Sequence, residues 1–335
     1  MIKPITGLGP HGERAASPST LKISEAQAEL IAARRYTIAI VLHTLNSDWS
    51  KQILAGAAAT LGRHSAAIIE VVDCQFNGAQ QNHDLKRLSA LRPDAIISIP
   101  VGNADVAEAH AQVQASGAKL ILLDNVPTGL MPGSGYSTLI SADNFGLGAI
   151  AAELLAARIP ARSIIGAIGY DADFFATNER ELAFMRWMEN NRPDIEVRQV
   201  RFRQKELAGK ATEDLIKSCK HLEGCFVAWD EPAAGTLKTL DAFKMDIPVT
   251  TVDLGNEVAA ALVSGHLVKG IAAQRPYDLG VAAAQAALLA LIDQEMSPWI
   301  SMPGIPVTLE NILEAYQLVW HAPAPLEFRK AVRRS

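Results

Sequence analysis

Two runs decide the reading: Lys119-Leu-Ile-Leu-Leu-Asp124-Asn125 and Pro248-Val-Thr-Thr-Val-Asp253-Leu254. Each is a short aliphatic or β-branched stretch that stops on an acid, and the two occupy matching places in the halves of the chain. In an open parallel α/β sheet, ligands bind just beyond the carboxyl ends of the strands. Two such sheets set face to face would aim Asp124 and Asp253 into one cleft. An ionised carboxylate only accepts hydrogen bonds and can take two hydroxyl donors at once, so the pair suits a polyhydroxylated guest.

Outward from these runs the chain alternates. Strands are expected at 37–42, 67–72, 95–99 and 119–123, with helices at 49–64, 80–91 and 104–116 between them. The reading then passes to a helix at 146–158, and the alternation restarts. Strands are expected at 164–168, 196–202, 225–228, 249–252 and 269–273, with helices at 178–191, 207–218, 232–243 and 256–264. A long helix at 277–293, a strand near 305–308 and a helix near 310–317 complete the set. This is the pattern of βαβ units and parallel sheets. One sheet of about ten parallel strands would be unusually wide. The predicted fold class is therefore α/β, with two doubly wound, Rossmann-like parallel-sheet domains and the ligand cleft between them. The remainder after the second set must be shared, so the chain crosses between domains more than once. Residues 1–20, rich in Gly, Pro and Ser, read as a flexible leader, and 21–35 as helical with Ser24 as its cap. The basic run Arg329-Lys-Ala-Val-Arg-Arg-Ser335 reads as a frayed, solvated tail.

The 335 residues suffice for about two domains. A net charge of −5 argues against nucleic acid as the main partner, because phosphate binding needs a basic surface. Three cysteines give no disulfide framework; Cys219 and Cys225 are expected to be free thiols, and no spacing resembles a zinc site. The start of the chain lacks the regions of a signal peptide. The most apolar stretch, 279–292, is Ala-rich and interrupted by Gln285, so it reads as a buried helix and not as a membrane span. A soluble protein is expected, and an exported form would carry a signal absent from this sequence.

The motifs point the same way. Gly7-Leu-Gly9-Pro-His-Gly12 matches the dinucleotide fingerprint by letter, but no strand delivers it to a helix N-terminus, so it is not read as a nucleotide site. His43-Thr-Leu-Asn46-Ser47-Asp48-Trp49 follows the first strand, where a site would be built. The plainer reading makes Asp48 a helix cap and Trp49 a core residue. Asp171-Ala-Asp173-Phe174-Phe175-Ala-Thr-Asn178-Glu-Arg180 reads as an aromatic wall and a polar helix start, since a calcium loop needs more oxygen ligands. Phe226-Val-Ala-Trp229-Asp230-Glu231-Pro232 puts an indole at a strand end, either as a sugar platform or as core. Ala272-Ala-Gln274-Arg275-Pro276-Tyr277 places an amide at a turn. No nucleophile sits beside a base, and no Walker or metalloprotease sequence occurs. The surplus is of hydrogen-bonding and stacking groups, which favours a binder over an enzyme, with no cofactor, no metal and no catalytic residue.

These residues resemble a known family. Ile38-Ala-Ile-Val-Leu-His-Thr-Leu-Asn46 through Gly56, Leu122-Leu-Asp124-Asn125, Ser141-Ala-Asp143-Asn144, Asn178-Glu179-Arg180, Val252-Asp253 and Ala273-Gln274-Arg275-Pro276 look like the sugar-binding proteins of bacterial ABC importers, ribose-binding branch. The same fold forms the effector domain of LacI-type repressors. The resemblance covers about 36–310 and is weakly specific for the ligand. It implies that His43, Ser47 and Trp49 contact the sugar and that Asp124, Asp253 and Gln274 match ligand positions. Asn125 and Asn178 stand where ribose binders have arginines, and Trp229 where they have asparagine. Asp48 and Phe175 complete the expected site. With two arginines lost, Asp124 and Asp253 are expected to lack guanidinium partners. A neutral sugar or polyol is then the leading guest and an amine-bearing one the second; sugar acids and sugar phosphates are excluded.

The resemblance also implies a three-segment hinge at 144–146, 274–276 and the turn before Pro306. The lobes would be 36–142 with 276–306, and 143–275 with 307–325, flanked by the 1–35 leader and a 326–335 tail. The implied partner is the membrane permease of an ABC importer, with the protein a periplasmic monomer not inserted in the membrane. The alternative is a cytoplasmic sensor of the LacI effector type without a DNA-binding domain. Residues 1–35 hold at most one helix, too few for a helix-turn-helix.

Overall fold

The computed structural model describes residues 4–333. In chain order the elements are α1 (Glu25–Ala32), β1 (Thr37–Leu42), α2 (Asp48–Arg63), β2 (Ala67–Asp73), α3 (Gly78–Leu91), β3 (Ala95–Ser98), α4 (Ala107–Ala115), β4 (Lys119–Leu123) and β5 (Thr138–Ala142). Next come α5 (Asn144–Ala156), β6 (Ile164–Tyr170), α6 (Phe175–Asn191), β7 (Glu196–Phe202), α7 (Ala208–Ser218), β8 (Leu222–Val227), α8 (Asp230–Ala242), β9 (Val249–Val252), α9 (Asn256–Val263) and β10 (Val268–Ala273). The chain ends with α10 (Pro276–Leu291), β11 (Trp299–Met302), β12 (Ile305–Val307), α11 (Ile312–Trp320) and α12 (Leu326–Val332).

Central strands such as β1 and β9 are built of aliphatic and β-branched residues and are buried almost along their length, as parallel strands covered on both faces must be. They assemble into two six-stranded sheets, ordered β11-β5-β4-β3-β1-β2 and β12-β10-β9-β8-β6-β7. Every pairing is parallel except β10 with β12. The α/β, doubly wound class expected from sequence is thus observed twice, once per lobe. In both lobes the second strand in sequence lies at the edge and the third on the other side of the first. That reversal is a topological switch point, where such sheets bind ligands.

The chain passes between sheets three times. β5 leads into α5, which packs on β9 and β10; β10 leads into α10, which packs on β3 and β4; and β11 leads into β12. The third crossing is Pro303-Gly304, ahead of the expected boundary at 306, because Ile305 already pairs with Ala273 in the second sheet. At the heart of the first lobe α2 and α10 cross backbone to backbone. A Cβ on Gly56 would lie 2.0 Å from Tyr277 O, and one on Gly280 2.0 Å from Ile53 O.

Four features depart from the sequence reading. β5 and β11 were not expected as strands. β5 is only five residues long and follows a Gly- and Ser-containing loop, and β11 is four residues. Both are wholly buried, so neither alternates. The leader is laid down rather than loose in its described part. Ala16 pairs with Ile300 at the open edge of β11, and Leu21 is buried. The Gly7 and Thr6 amides donate to the Asp143 carboxylate at 3.0 and 2.8 Å, so the glycine run serves a carboxylate of its own chain. Residues 1–3 lie outside the described residues. The basic tail forms α12, because Phe328 finds a buried place edge-on to Tyr316, 5.7 Å between ring centres. Cys74, Cys219 and Cys225 are buried and unpaired.

Candidate ligand-binding site

Asp124 and Asp253 are built alike. Each β4 and β9 strand ends on an aspartate in the left-handed region, φ +52° at Asp124 and +71° at Asp253. Aspartate tolerates that region better than branched residues do. Each aspartate N–H donates at 3.1 Å to the next strand of its sheet, Asp124 to Ile140 O and Asp253 to Ala272 O. The turn that follows leaves both carboxylates lining one cavity between the lobes, of about 70 Å³.

His43, Ser47, Trp49, Trp229 and Gln274 line the same cavity, as expected. Ser47 is the cap of α2, its hydroxyl accepting from Ser50 N at 3.0 Å. His43 stacks edge-on to Trp49 and to Phe76, at 5.5 and 4.7 Å between ring centres. Trp229 meets Tyr170 and Phe202 at 5.3 Å each. The walls are therefore aromatic and held by one another, with the polar atoms between them.

Four buried polar atoms on this cavity have no hydrogen-bond partner among the described residues: His43 Nδ1, Trp49 Nε1, Asp124 Oδ1 and Gln274 Oε1. Gln274 is oriented by its own amide nitrogen, which donates to Asp253 Oδ1 at 2.7 Å and so turns Oε1 away. Burial, with the charge of Lys205, lowers the His43 imidazole to about 3, so it is neutral at neutral pH. Burial lifts the Asp124 carboxyl to about 6, against the pull of Arg180. Burial also raises Asp253, opposed by Arg180 and by the Gln274 bond.

Four expected site residues stand elsewhere. Asp48 is not the cap of α2. Its Oδ2 reaches the opposite lobe and accepts from Asn256 N and Asn256 Nδ2, both at 3.0 Å. Asn125 is fully buried beside the cavity and bridges the lobes. Its amide donates to Pro100 O and Gly102 O at 3.2 and 3.0 Å, and its oxygen accepts from Phe175 N at 3.2 Å. Phe175 joins this bridge through its backbone, while the ring on the cavity is that of Phe174. Asn178 turns outward and donates to Asp173 at 3.1 Å, because two residues further along α6 Arg180 takes the inward face with Thr177.

Arg180 corrects the expectation that the acids lack a guanidinium. It is buried, with Nε on Asn144 Oδ1 at 2.8 Å, Nη1 on Ala228 O at 3.3 Å, and Nη1 3.7 Å from Asp253 Oδ2. Arg180, Asp230 and Glu231 also line the cavity, although none is among the expected site residues. Their positions, one turn into α6 and directly after Trp229, were the available signal. Among the described residues no group of histidine, cysteine or carboxylate side chains could hold a metal ion, and Asp171 pairs with Arg203 instead. No helix of the described residues is long and apolar enough to cross a membrane.

Two lobes joined by three crossings meet over an inward-facing polar cavity. By sequence the chain belongs to the family described as periplasmic binding protein domain, which matches residues 38–295. No curated protein matches it in sequence. Solved structures share the fold. An ABC transporter solute-binding protein from Agrobacterium vitis, bound with α-D-tagatopyranose, has a TM-score of 0.78 and 21% identity, over 87% of this chain and 100% of that one. A carbohydrate transporter solute-binding protein from Agrobacterium radiobacter, in complex with D-arabinose, has 0.77 and 20%, over 85% and 99%. A solute-binding protein from Mycobacterium smegmatis with bound glycerol has 0.75 and 21%, over 83% and 96%.

Proposed function

We propose that this chain is the solute-binding component of an ABC importer, closing about its hinge on a small sugar or polyol without negative charge. One observation carries the reading. His43 Nδ1, Trp49 Nε1, Asp124 Oδ1 and Gln274 Oε1 are buried and unpartnered around a single cavity. Trp49 only donates, Asp124 and Gln274 Oε1 accept, and neutral His43 does either. Hydroxyl groups donate and accept, so one polyhydroxylated guest satisfies all four. An apolar guest would leave each unmet, at roughly 1–3 kcal/mol apiece. The sugar and polyol complexes of proteins with the same fold support this class.

His43, Ser47, Trp49, Asp124, Trp229, Asp253 and Gln274 are assigned to the guest, and Asp48 and Asn125 to holding the lobes together. The lobes are assigned as 36–142 with the α10–β11 segment and as 143–275 with β12 and α11. The partner is a membrane permease, the compartment the periplasm and the working form a monomer. A thermal-shift screen against sugars, polyols and amino sugars, followed by calorimetry on the hit, tests the binding. Asp253→Ala should weaken it about ten- to a hundredfold, the worth of a charge-assisted hydrogen bond. Full affinity in that variant would move the site elsewhere. Uptake of the labelled hit by cells with and without the gene tests the transport role.

A further inference from the structure

Asp230 stands outside the residues assigned to the guest above, and it marks where the charge of the cleft fails to balance. Asp124, Asp230, Glu231 and Asp253 all line the main cavity. Arg180 faces Asp253, and Lys205 pairs with Glu231. Among the described residues no lysine or arginine forms an ion pair with Asp124 or Asp230. Beside the main cavity lies a smaller one of about 10 Å³, which shares Trp49, Asp230 and Asp253 with it and adds Asp48. No basic residue lines it. The two lobes bring these acids to one point: a Cβ on Gly255 would lie 2.1 Å from Asp230 Oδ2 and 3.6 Å from Asp48 Oδ2.

The acids are not the only sign of a guest here. Trp49 Nε1 and Asp124 Oδ1 are buried, unpartnered and on the same cavity. We infer that the guest carries a protonated amine beside its hydroxyls, and that Asp230 is the carboxylate that reads the positive charge. The class is an amino sugar or a polyhydroxylated cyclic amine. This rests on the reading of the cleft as a polyhydroxylated-solute site and reverses the order in which sequence ranked the neutral and amine-bearing guests.

The physical reason is the cost of uncompensated charge. Asp230 is half-buried, and a partly desolvated carboxylate without a cation beside it is unfavourable, so the group either takes a proton or finds a cation. Burial first, then the charges of Asp253 and Glu231, push the Asp230 carboxyl well above its ordinary range. A neutral sugar leaves that excess in place, and an ammonium removes it. Trp49 and Trp229 line the same cavity and offer it aromatic surface, which suits a cation. Asp230 Oδ1 is already occupied by Glu231 N at 2.8 Å, which leaves Oδ2 as the oxygen for the amine.

Calorimetry on the full chain at pH 7 tests this with D-glucosamine, D-galactosamine and a trihydroxylated piperidine against D-glucose, D-galactose and D-arabinose. The amine-bearing member of a matched pair should bind about ten- to a hundredfold more tightly. Asp230→Asn, which keeps shape and removes charge, should collapse that ratio towards one; the ratio is the readout. N-acetylglucosamine, uncharged at the same nitrogen, should lose the advantage on the unmodified protein, which keeps the test alive if the variant does not fold. A neutral sugar bound as tightly as its amine counterpart, or a ratio untouched by Asp230→Asn, overturns the inference and leaves the polyhydroxylated site standing. Failure of every probe on the unmodified chain overturns both.

Discussion

Replacing Asp48 by alanine should speed ligand release about thirtyfold. Helix α9 begins after Gly255, which has no side chain with which to cap it. Asp48 supplies the cap from the other lobe, its Oδ2 accepting from Asn256 N and Nδ2 at 3.0 Å each. A helix cap is worth about 1 kcal/mol. A second bond to a charged acceptor at a partly exposed position adds about another 1 kcal/mol. Roughly 2 kcal/mol in all shifts a two-state closure equilibrium about thirtyfold. Tyr316 holds Asn256 from its own lobe, its hydroxyl donating to Asn256 Oδ1 at 2.9 Å, so the donor stays placed in the variant. The lost bonds span the lobes and belong to the closed form, so the loss should appear in dissociation, with association little changed. Stopped-flow fluorescence reads both rates, because Trp49 and Trp229 line the cleft. An unchanged release rate would refute the reasoning, as would a loss confined to association.

Three further outcomes follow from buried groups. Burial moves Asp124 from its usual 3.8 to about 6, so the folded chain holds that proton more tightly than the unfolded one. Ligand-free stability should therefore fall as pH rises through 4 to 6, by about 3 kcal/mol from this group, and Asp124→Asn should abolish that component in urea titrations. His43 and His110, lowered to about 3 and about 4, titrate in the opposite sense, so the measurement is the difference between the unmodified chain and the variant. Arg180→Met should cost about 3–5 kcal/mol of stability by leaving Asp253 buried without its cation; denaturant midpoints check it. Gly280→Val should cost about 3 kcal/mol or more, since even a Cβ would sit 2.0 Å from Ile53 O and force α2 from α10; unaltered melting would contradict the backbone contact.

The fold was legible because parallel strands buried on both faces leave aliphatic or β-branched runs, and β4 and β9 are such runs. β5 and β11 were not, because a serine breaks each short run, Thr138-Leu-Ile-Ser-Ala142 and Trp299-Ile-Ser-Met302, and their strand character comes from neighbours distant in sequence. The cleft was legible for the same reason as the fold: strand ends in doubly wound sheets face the ligand. Sequence could not tell which polar residue beyond a strand end meets the guest and which meets the other lobe. Asp48 and Trp49 are adjacent, yet one bonds Asn256 across the cleft and the other lines the cavity. Asn178 and Arg180 differ by two residues on a helix, about 200° in direction, and the choice of inward face was set by packing of α6 on α5. Arg180 went unplaced for that reason, and with it the cation that faces Asp253.

The residues that bind and the residues that close are therefore two sets with opposite energetics. Asp48 and Asn125 gain partners when the lobes meet. His43 Nδ1, Trp49 Nε1, Asp124 Oδ1 and Gln274 Oε1 lose water and take no hydrogen bond from the described residues. At roughly 1–3 kcal/mol for each unmet group, the second set costs about 4–12 kcal/mol in a cavity without a guest, a cost of the same order as what the bridging bonds return. A guest that supplies the missing partners removes that cost. On the proposed reading that difference, and not the strength of any single contact, would couple binding to hinge motion. It also predicts that filling the cavity from within, by Ser47→Leu, should favour the closed form without ligand only if the new side chain leaves those four atoms no worse solvated; small-angle scattering showing a ligand-free variant still open would place the barrier in the unmet polar atoms and not in the empty volume.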